Sequence, residues 1–315
     1  MTFSQRSRFG IVVLSLCTMV NCDAITGKED DDNQTLVLAL AAIASANSSC
    51  SASTSTTTST VTPSTATLND ATGCVNGVVT CLDSNLPAWI KNNFTCVVGY
   101  VSGSNYVIKT KNLPNTKSYY YASRTGVTSA PLYEALPSGN SSAGTNVIIA
   151  QNLTFTIPAT PTTGSGTVST QGGLVAIGVT RNGLAIYNNA AAPGDVLASE
   201  ATTFDNFQGH PQNTGVYHHH AAVPKVCDGA ANTSNSGACN NAKLIGIALD
   251  GYPIYGQKND AGVAPTLDSF HGTTGTTAEF PNGTYHYRYA YDSTATIYTL
   301  MGSFFRGNIG SVTNN

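Results

Sequence analysis

Charge is scarce in this sequence: 10% of its 315 residues are Asp, Glu, Lys or Arg, and the formal net charge is -3. Lys and Arg form no cluster that could neutralise a run of phosphates, so nucleic acid is not an expected partner. Methionine occurs three times and tryptophan once. Cys-x-x-Cys spacing is missing, which weighs against a thiolate zinc site. Neither a Gly-x-Ser-x-Gly elbow, a His-Glu-x-x-His helix, a P-loop nor a dinucleotide fingerprint occurs, so the common hydrolase, zincin and nucleotide-binding classes have no foothold. Histidine is absent outside positions 210–286, where all six are found.

The apolar run from Phe9 to Val20 follows Arg6 and Arg8 and is too short to cross a bilayer as a helix. It reads as an export signal ending at Cys22, the candidate acceptor of a lipid anchor. A protein attached to a membrane in this way is extracytoplasmic, placed in a bacterial cell envelope at the outer membrane or surface; plain secretion is the alternative. Residues 1–22 are thus expected to be the signal peptide. Residues 23–67, acidic at first and then almost wholly Ser and Thr between 48 and 67, are expected to be a disordered tether. With Cys17 and Cys22 set aside, six cysteines remain, an even number that suits disulfides in an exported chain. Cys227 and Cys239 bracket a Gly/Asn/Ser loop and are expected to pair, whereas the connectivity of Cys50, Cys74, Cys81 and Cys96 stays open.

From residue 68 to 315 short apolar runs alternate with Gly, Asn, Pro and Ser clusters. Residues 97–101, 106–108, 147–150 and 153–157 read as strands. The expected fold is all-β: a single sheet or sandwich-like domain with an internal pseudo-repeat, its copies spanning about 172–220 and 243–291. Asn182-Gly183 and Asp250-Gly251 lie between apolar runs and signal hairpins; Asn282-Gly283 signals a third tight turn. Pro253 removes a ladder donor, so the strand that contains it is expected at an edge.

The repeat carries the chemistry. Ile177-Gly178-Val179 opens one cassette and Ile245-Gly246-Ile247 the other. Gly215-Val216-Tyr217-His218 matches Gly283-Thr284-Tyr285-His286 at the offset that separates Ile177 from Ile245. Side chains alternate along a strand, so His218 and His220 share a face and can bind one ion. His286, from the related strand, is the expected third ligand, with Asp205, His210, Asp268 and His271 as alternative ligands or orienting groups. Imidazole donors favour zinc or copper, and an open coordination position would make the centre catalytic. Arg288 stands where the first copy has His220; it marks either a lost ligand or a contact for an anionic substrate. Tyr285, Tyr287, Tyr289 and Tyr291 form a period-two packing stripe. Tyr119-Tyr120-Tyr121 and Trp89 suit the rival reading, a non-enzymatic adhesin-like or carbohydrate-binding module whose small-molecule or glycan ligand needs no metal.

Gly215-Val216-Tyr217-His218-His219-His220, Leu249-Asp250-Gly251-Tyr252-Pro253-Ile254-Tyr255-Gly256 and Gly283-Thr284-Tyr285-His286-Tyr287-Arg288 together resemble the YHYH domain family, over roughly Val147 to Gly307. That resemblance implies a domain of secreted and surface proteins and brings no settled activity. His219 stands for the second Tyr of the first motif, Arg288 for the second His of the other, and Ser303 for the Cys of a terminal Gly-Cys pair.

Overall fold

A computed structural model describes residues 50–51, 60–61, 74, 80–121, 132–136, 145–171, 175–227 and 239–315. The expected signal peptide, Cys22 and most of the tether lie outside the described residues. Those that are described belong to one compact unit.

The strands follow in chain order. β1 (Cys50–Ser51) and β2 (Thr60–Val61) pair with each other inside the stretch expected to be tether. β3 (Cys81–Leu82), β4 (Val98–Ser102), β5 (Asn105–Thr110) and β6 (Leu153–Pro158) come next. The first copy of the repeat supplies β7 (Gly178–Thr180), β8 (Ala185–Ile186), β9 (His210–Pro211) and β10 (Tyr217–His219). The second supplies β11 (Leu244–Ala248), β12 (Pro253–Tyr255), β13 (Gly272–Gly275) and β14 (Thr284–Arg288). β15 (Ala290–Asp292), β16 (Ile297–Thr299) and β17 (Ser311–Asn314) complete the series. The helices are single turns: α1 (Ala88–Lys91), α2 (Leu197–Glu200) and α3 (Pro224–Cys227).

Five strands form one mixed sheet in the order β17-β6-β5-β4-β3. β6 shows the half-buried alternation in full, with Leu153, Phe155 and Ile157 inward and Thr154 and Thr156 half-buried. The repeat forms a second mixed sheet of eight strands, ordered β13-β14-β12-β11-β7-β8-β10-β9. One apolar cluster draws on both sheets, joining Ile90, Phe94, Ile108, Phe155 and Ile157 to Ile177, Val179, Ile245, Ile247 and Ile254. The all-β, sandwich-like expectation is therefore met.

The eight-stranded order reads as a pseudo-twofold. Each copy contributes an antiparallel hairpin, a parallel neighbour and an antiparallel edge strand, and the copies meet through β7 and β11. Val179 pairs with Ile247, its own counterpart in the second copy. In the flanking pairs Gly178 meets Ala248 and Thr180 meets Gly246, so the repeat exchanges one pair for the other and the axis passes through the central pair. A Cβ on Gly178 would stand 2.7 Å from the Ile247 carbonyl oxygen, and one on Gly246 would stand 2.2 Å from that of Val179. The glycine of each cassette is what lets the other copy's backbone approach.

Both hairpin signals are realised, with Gly183 at φ +79° and Gly251 at φ +87°. Gly283 turns at φ +83° just ahead of β14. Three expectations are corrected. The strand with Pro253 is not an edge, because β12 pairs with β11 on one side and β14 on the other; Pro253 is tolerated as the first residue of the strand. Residues 147–150 are not a strand, since Ile148 donates to Tyr120 and Ile149 to Gly215, two unrelated partners. The tyrosine stripe is buried at Tyr287 and Tyr289 but ends at Tyr291, which is exposed after the chain passes into β15.

The Cys227–Cys239 disulfide is present as expected, and Cys74 pairs with Cys96. Among the described residues no helix is long and apolar enough to cross a membrane.

Candidate metal centre

β10 carries His218 and leads directly into His220, so strand alternation points both rings to one side. β9 lies beside it with His210 paired to His218 across the ladder. These three histidines form a cluster in which one ring nitrogen from each lies within 4.8 Å of the others. All three are buried, at 3–6% exposure.

Backbone carbonyls orient the rings. His218 Nδ1 donates to the Val216 carbonyl at 3.0 Å, and His220 Nδ1 donates to that of Asn188 at 2.7 Å. A carbonyl oxygen only accepts, so both Nδ1 atoms carry the proton and both Nε2 atoms present a lone pair. Those two lone pairs face each other, with Nε2 to Nε2 at 3.0 Å. On the third ring His210 Nδ1 meets Thr203 Oγ1 at 2.8 Å, while its Nε2 has no hydrogen-bond partner and stands 3.6 Å from Glu200 Oε1. Tyr187 stacks on His218 at 3.9 Å between centroids, and Phe204 lies parallel to the His220 ring at 6.0 Å.

Burial disfavours the charged form of each ring, and their mutual repulsion adds to it at His210 and His218. Those two are held well below the usual imidazole range, and His220 is lowered to about 4. Glu200 moves the other way, raised to about 7 by burial and then by Asp195. The cluster opens on a cavity of about 530 Å³ lined by Tyr120, Asp195, Ser199, Glu200 and Thr203 among others. Among the described residues no lysine or arginine lines it.

The loop that presents His210 is locked by an Asp and a Tyr. Asp205 Oδ1 accepts from the Phe207 and Gly209 amides at 2.9 and 3.3 Å, and Tyr217 hydroxyl donates to both carboxylate oxygens at 2.9 and 3.0 Å. The Tyr-His order therefore divides labour by strand face: Tyr217 secures the loop below the sheet and His218 faces the cavity. Asp205, expected as a ligand or orienting group, orients the centre through this loop.

Of the expected ligands, His218 and His220 come together and His286 does not join them. β14 and β10 are five strand steps apart in the sheet, about 24 Å at the usual spacing, because the copies meet through β7 and β11 rather than through their histidine strands. His210 takes the third place. Asp268 and His271 belong to the second copy: Asp268 Oδ1 accepts from Phe270 and Gly272 at 2.9 and 3.0 Å and pairs with Tyr285 hydroxyl, repeating the Asp205 lock. His271 does not share the repeat position of His210: like Gln208 it stands three residues after the locking Asp, each at φ +63°. Arg288 is 1% exposed and spends its Nε on His286 and its Nη1 on backbone carbonyls, so the expected anion contact gives way to internal bonds. Of the aromatic cluster, Tyr120 alone lines the cavity; Tyr119 and Tyr121 pack in a small core with Leu184 and Tyr217. Sequence reasoning missed Glu200 and the carbonyl of Asn188, neither of which carries a signal of its own. It missed as well the part of Tyr187, which lies within the first cassette.

The family model described as "YHYH protein" matches residues 154–262. This is roughly a third of the chain, from β6 past β12, and it bears out over that stretch the resemblance read from the residues. No curated protein and no solved structure matches this chain.

Proposed function

We propose that this chain is an exported protein, anchored to a membrane surface through Cys22, that binds one transition ion at His210, His218 and His220. The observation that carries the reading is the pair of imidazole lone pairs meeting at 3.0 Å while both Nδ1 protons are committed to carbonyls. Two such lone pairs repel unless a proton or a metal lies between them. Burial opposes the proton, since it keeps the rings neutral. A zinc or copper ion suits the gap, because ligands at 2.0–2.1 Å on a tetrahedral centre are about 3.3 Å apart. Carbonyls behind the ligating rings are the usual outer support of such a centre.

Three histidines with a cavity on the remaining side describe a centre that keeps one position for a water or a substrate. A bound ion would supply Lewis acidity and an acidified water there. The residues around that position bind and orient: Asp195 supplies a carboxylate and Glu200 a carboxyl that burial raises to about 7, while Tyr120, Ser199 and Thr203 supply neutral polar groups. Hydrolysis or lyase chemistry on a small molecule without strong negative charge fits this lining best. The disulfides suit an oxidising compartment.

Elemental analysis of the purified full chain beside its His218→Ala variant tests the reading. Close to one zinc or copper per chain, lost in a variant that still folds, is expected. A folded, metal-free protein that also refuses added zinc and copper overturns it.

A further inference from the structure

The second copy repeats the bonds of the centre around a different cation. His286 Nδ1 donates to the Thr284 carbonyl at 3.0 Å, as His218, its counterpart in the first copy, does to that of Val216. His286 Nε2 then meets Arg288 Nε at 3.0 Å, the distance at which His218 meets His220. Arg288 Nη1 donates to the Gly256 carbonyl at 2.9 Å, and Gly256 is the repeat counterpart of Asn188, whose carbonyl holds His220. Nη1 reaches the Lys258 carbonyl as well. Tyr255 flanks the pair, 5.2 Å from the His286 ring and 5.6 Å from the guanidinium carbon, where Tyr187 flanks the first. Across the ladder Thr273 faces His286 as His210 faces His218.

We propose that the second copy is a metal pocket in which Arg288 has taken the place of the second histidine and its Nε proton fills the gap that the ion fills in the first. The protein therefore holds one ion and not two. An imidazole whose Nδ1 proton is committed presents Nε2 as an acceptor that is costly to leave unmet when buried, and His286 is 1% exposed, so water is not at hand. A guanidinium meets the need without leaving: it keeps its charge and presents rigid, coplanar N–H donors. Its environment is that of a coordinated cation. Among the described residues no carboxylate lies within ion-pair distance of Arg288, Asp260 acting on it only from farther off; the acceptors named here are an imidazole and two carbonyls, all neutral. The consequence is a half of the sheet that needs no metal and a half that does. The nature of the replaced cation rests on the metal reading of the first copy; the replacement itself rests on the repeated bonds.

The test counts zinc per full-length chain after loading and removal of free ion, in four proteins. Wild type is expected to hold one, Thr273→His/Arg288→His two, His218→Ala none, and His218→Ala/Thr273→His/Arg288→His one. A folded Thr273→His/Arg288→His protein that binds no more than wild type overturns the inference and leaves the first centre intact. No zinc in wild type with one in Thr273→His/Arg288→His sinks the first centre and supports the replacement. Should Thr273→His/Arg288→His not fold, Arg288→Ala is melted with millimolar guanidinium chloride and with equal sodium chloride. A higher melting temperature in guanidinium supports a cation site at this position, and equal temperatures overturn it.

Discussion

The two copies of the repeat share a scaffold and differ in their donors. Both have a glycine at the central crossing, a positive-φ glycine in the hairpin, an Asp-Tyr lock on the loop and a histidine whose Nδ1 faces a carbonyl two residues back. At the three places that decide chemistry they part: His210 against Thr273, His220 against Arg288, and a lock that is buried at Asp205 and exposed at Asp268. The copies share the scaffold; on it the first presents three imidazoles close enough to hold a metal ion and the second a hydrogen-bonded guanidinium, a difference that rests on two side chains.

Changes at those side chains should separate the copies most. His218→Ala is expected to weaken metal binding roughly 1,000-fold or more, about 4 kcal/mol, while His271→Ala leaves it unchanged in the same titration. Equal losses would erase the distinction between the copies. Arg288→Ala leaves the His286 lone pair and two carbonyls buried without their donor and is expected to cost about 1–3 kcal/mol for each acceptor in urea unfolding, with metal content unaltered. Gly246→Ala forces a Cβ onto the Val179 carbonyl and should cost about 1–3 kcal/mol or more, exceeding Gly178→Ala, whose closest contact is longer. That pair probes what the copies share.

Smaller effects sharpen the contrast in the locks. Tyr217→Phe strips a donor from a carboxylate that is 1% exposed and is expected to cost about 1–3 kcal/mol and to weaken metal binding through the His210 loop. Tyr285→Phe, beside solvent-exposed Asp268, should cost less than about 1 kcal/mol and leave metal binding alone. The smallest difference lies in the hairpins, where Asp250 corresponds to Asn182. Burial raises Asp250 to about 6 in the fold, above the unfolded value of 3.8. Its folded state thus holds the proton more tightly, giving stability that is fully present below pH 3.8 and is lost as the pH rises through 6. Asp250→Asn should shrink the fall in stability between about pH 4 and pH 7, seen in denaturant melts; an unchanged slope would place the pH dependence elsewhere.

Much of this is legible from the residues. Alternation in residues 153–157, the Asn-Gly and Asp-Gly turns and the Cys227–Cys239 loop act locally, and local rules read them correctly. The pairing of His218 with His220 is legible for the same reason, because strand period is a property of neighbours. The third ligand is not. A constant repeat offset says that His218 and His286 are equivalent, and equivalence is not proximity. Related positions converge only when they lie next to the symmetry axis, and here the axis runs through Val179 and Ile247.

The sequence by itself determined an all-β chain with a duplicated cassette, two histidines on one strand face and an oxidisable pair at Cys227 and Cys239. It also marked Arg288 as the place where the copies diverge. Tertiary structure alone decided that β7 meets β11, which carries the histidine strands to opposite flanks and makes a histidine from β9 the third member of the cluster. It decided too that the buried Arg288 points inward at His286. The reason is physical: strand period and turn chemistry are set by a few adjacent residues, whereas sheet order is set by which long-range pairing buries the most apolar surface and satisfies the most backbone donors at once.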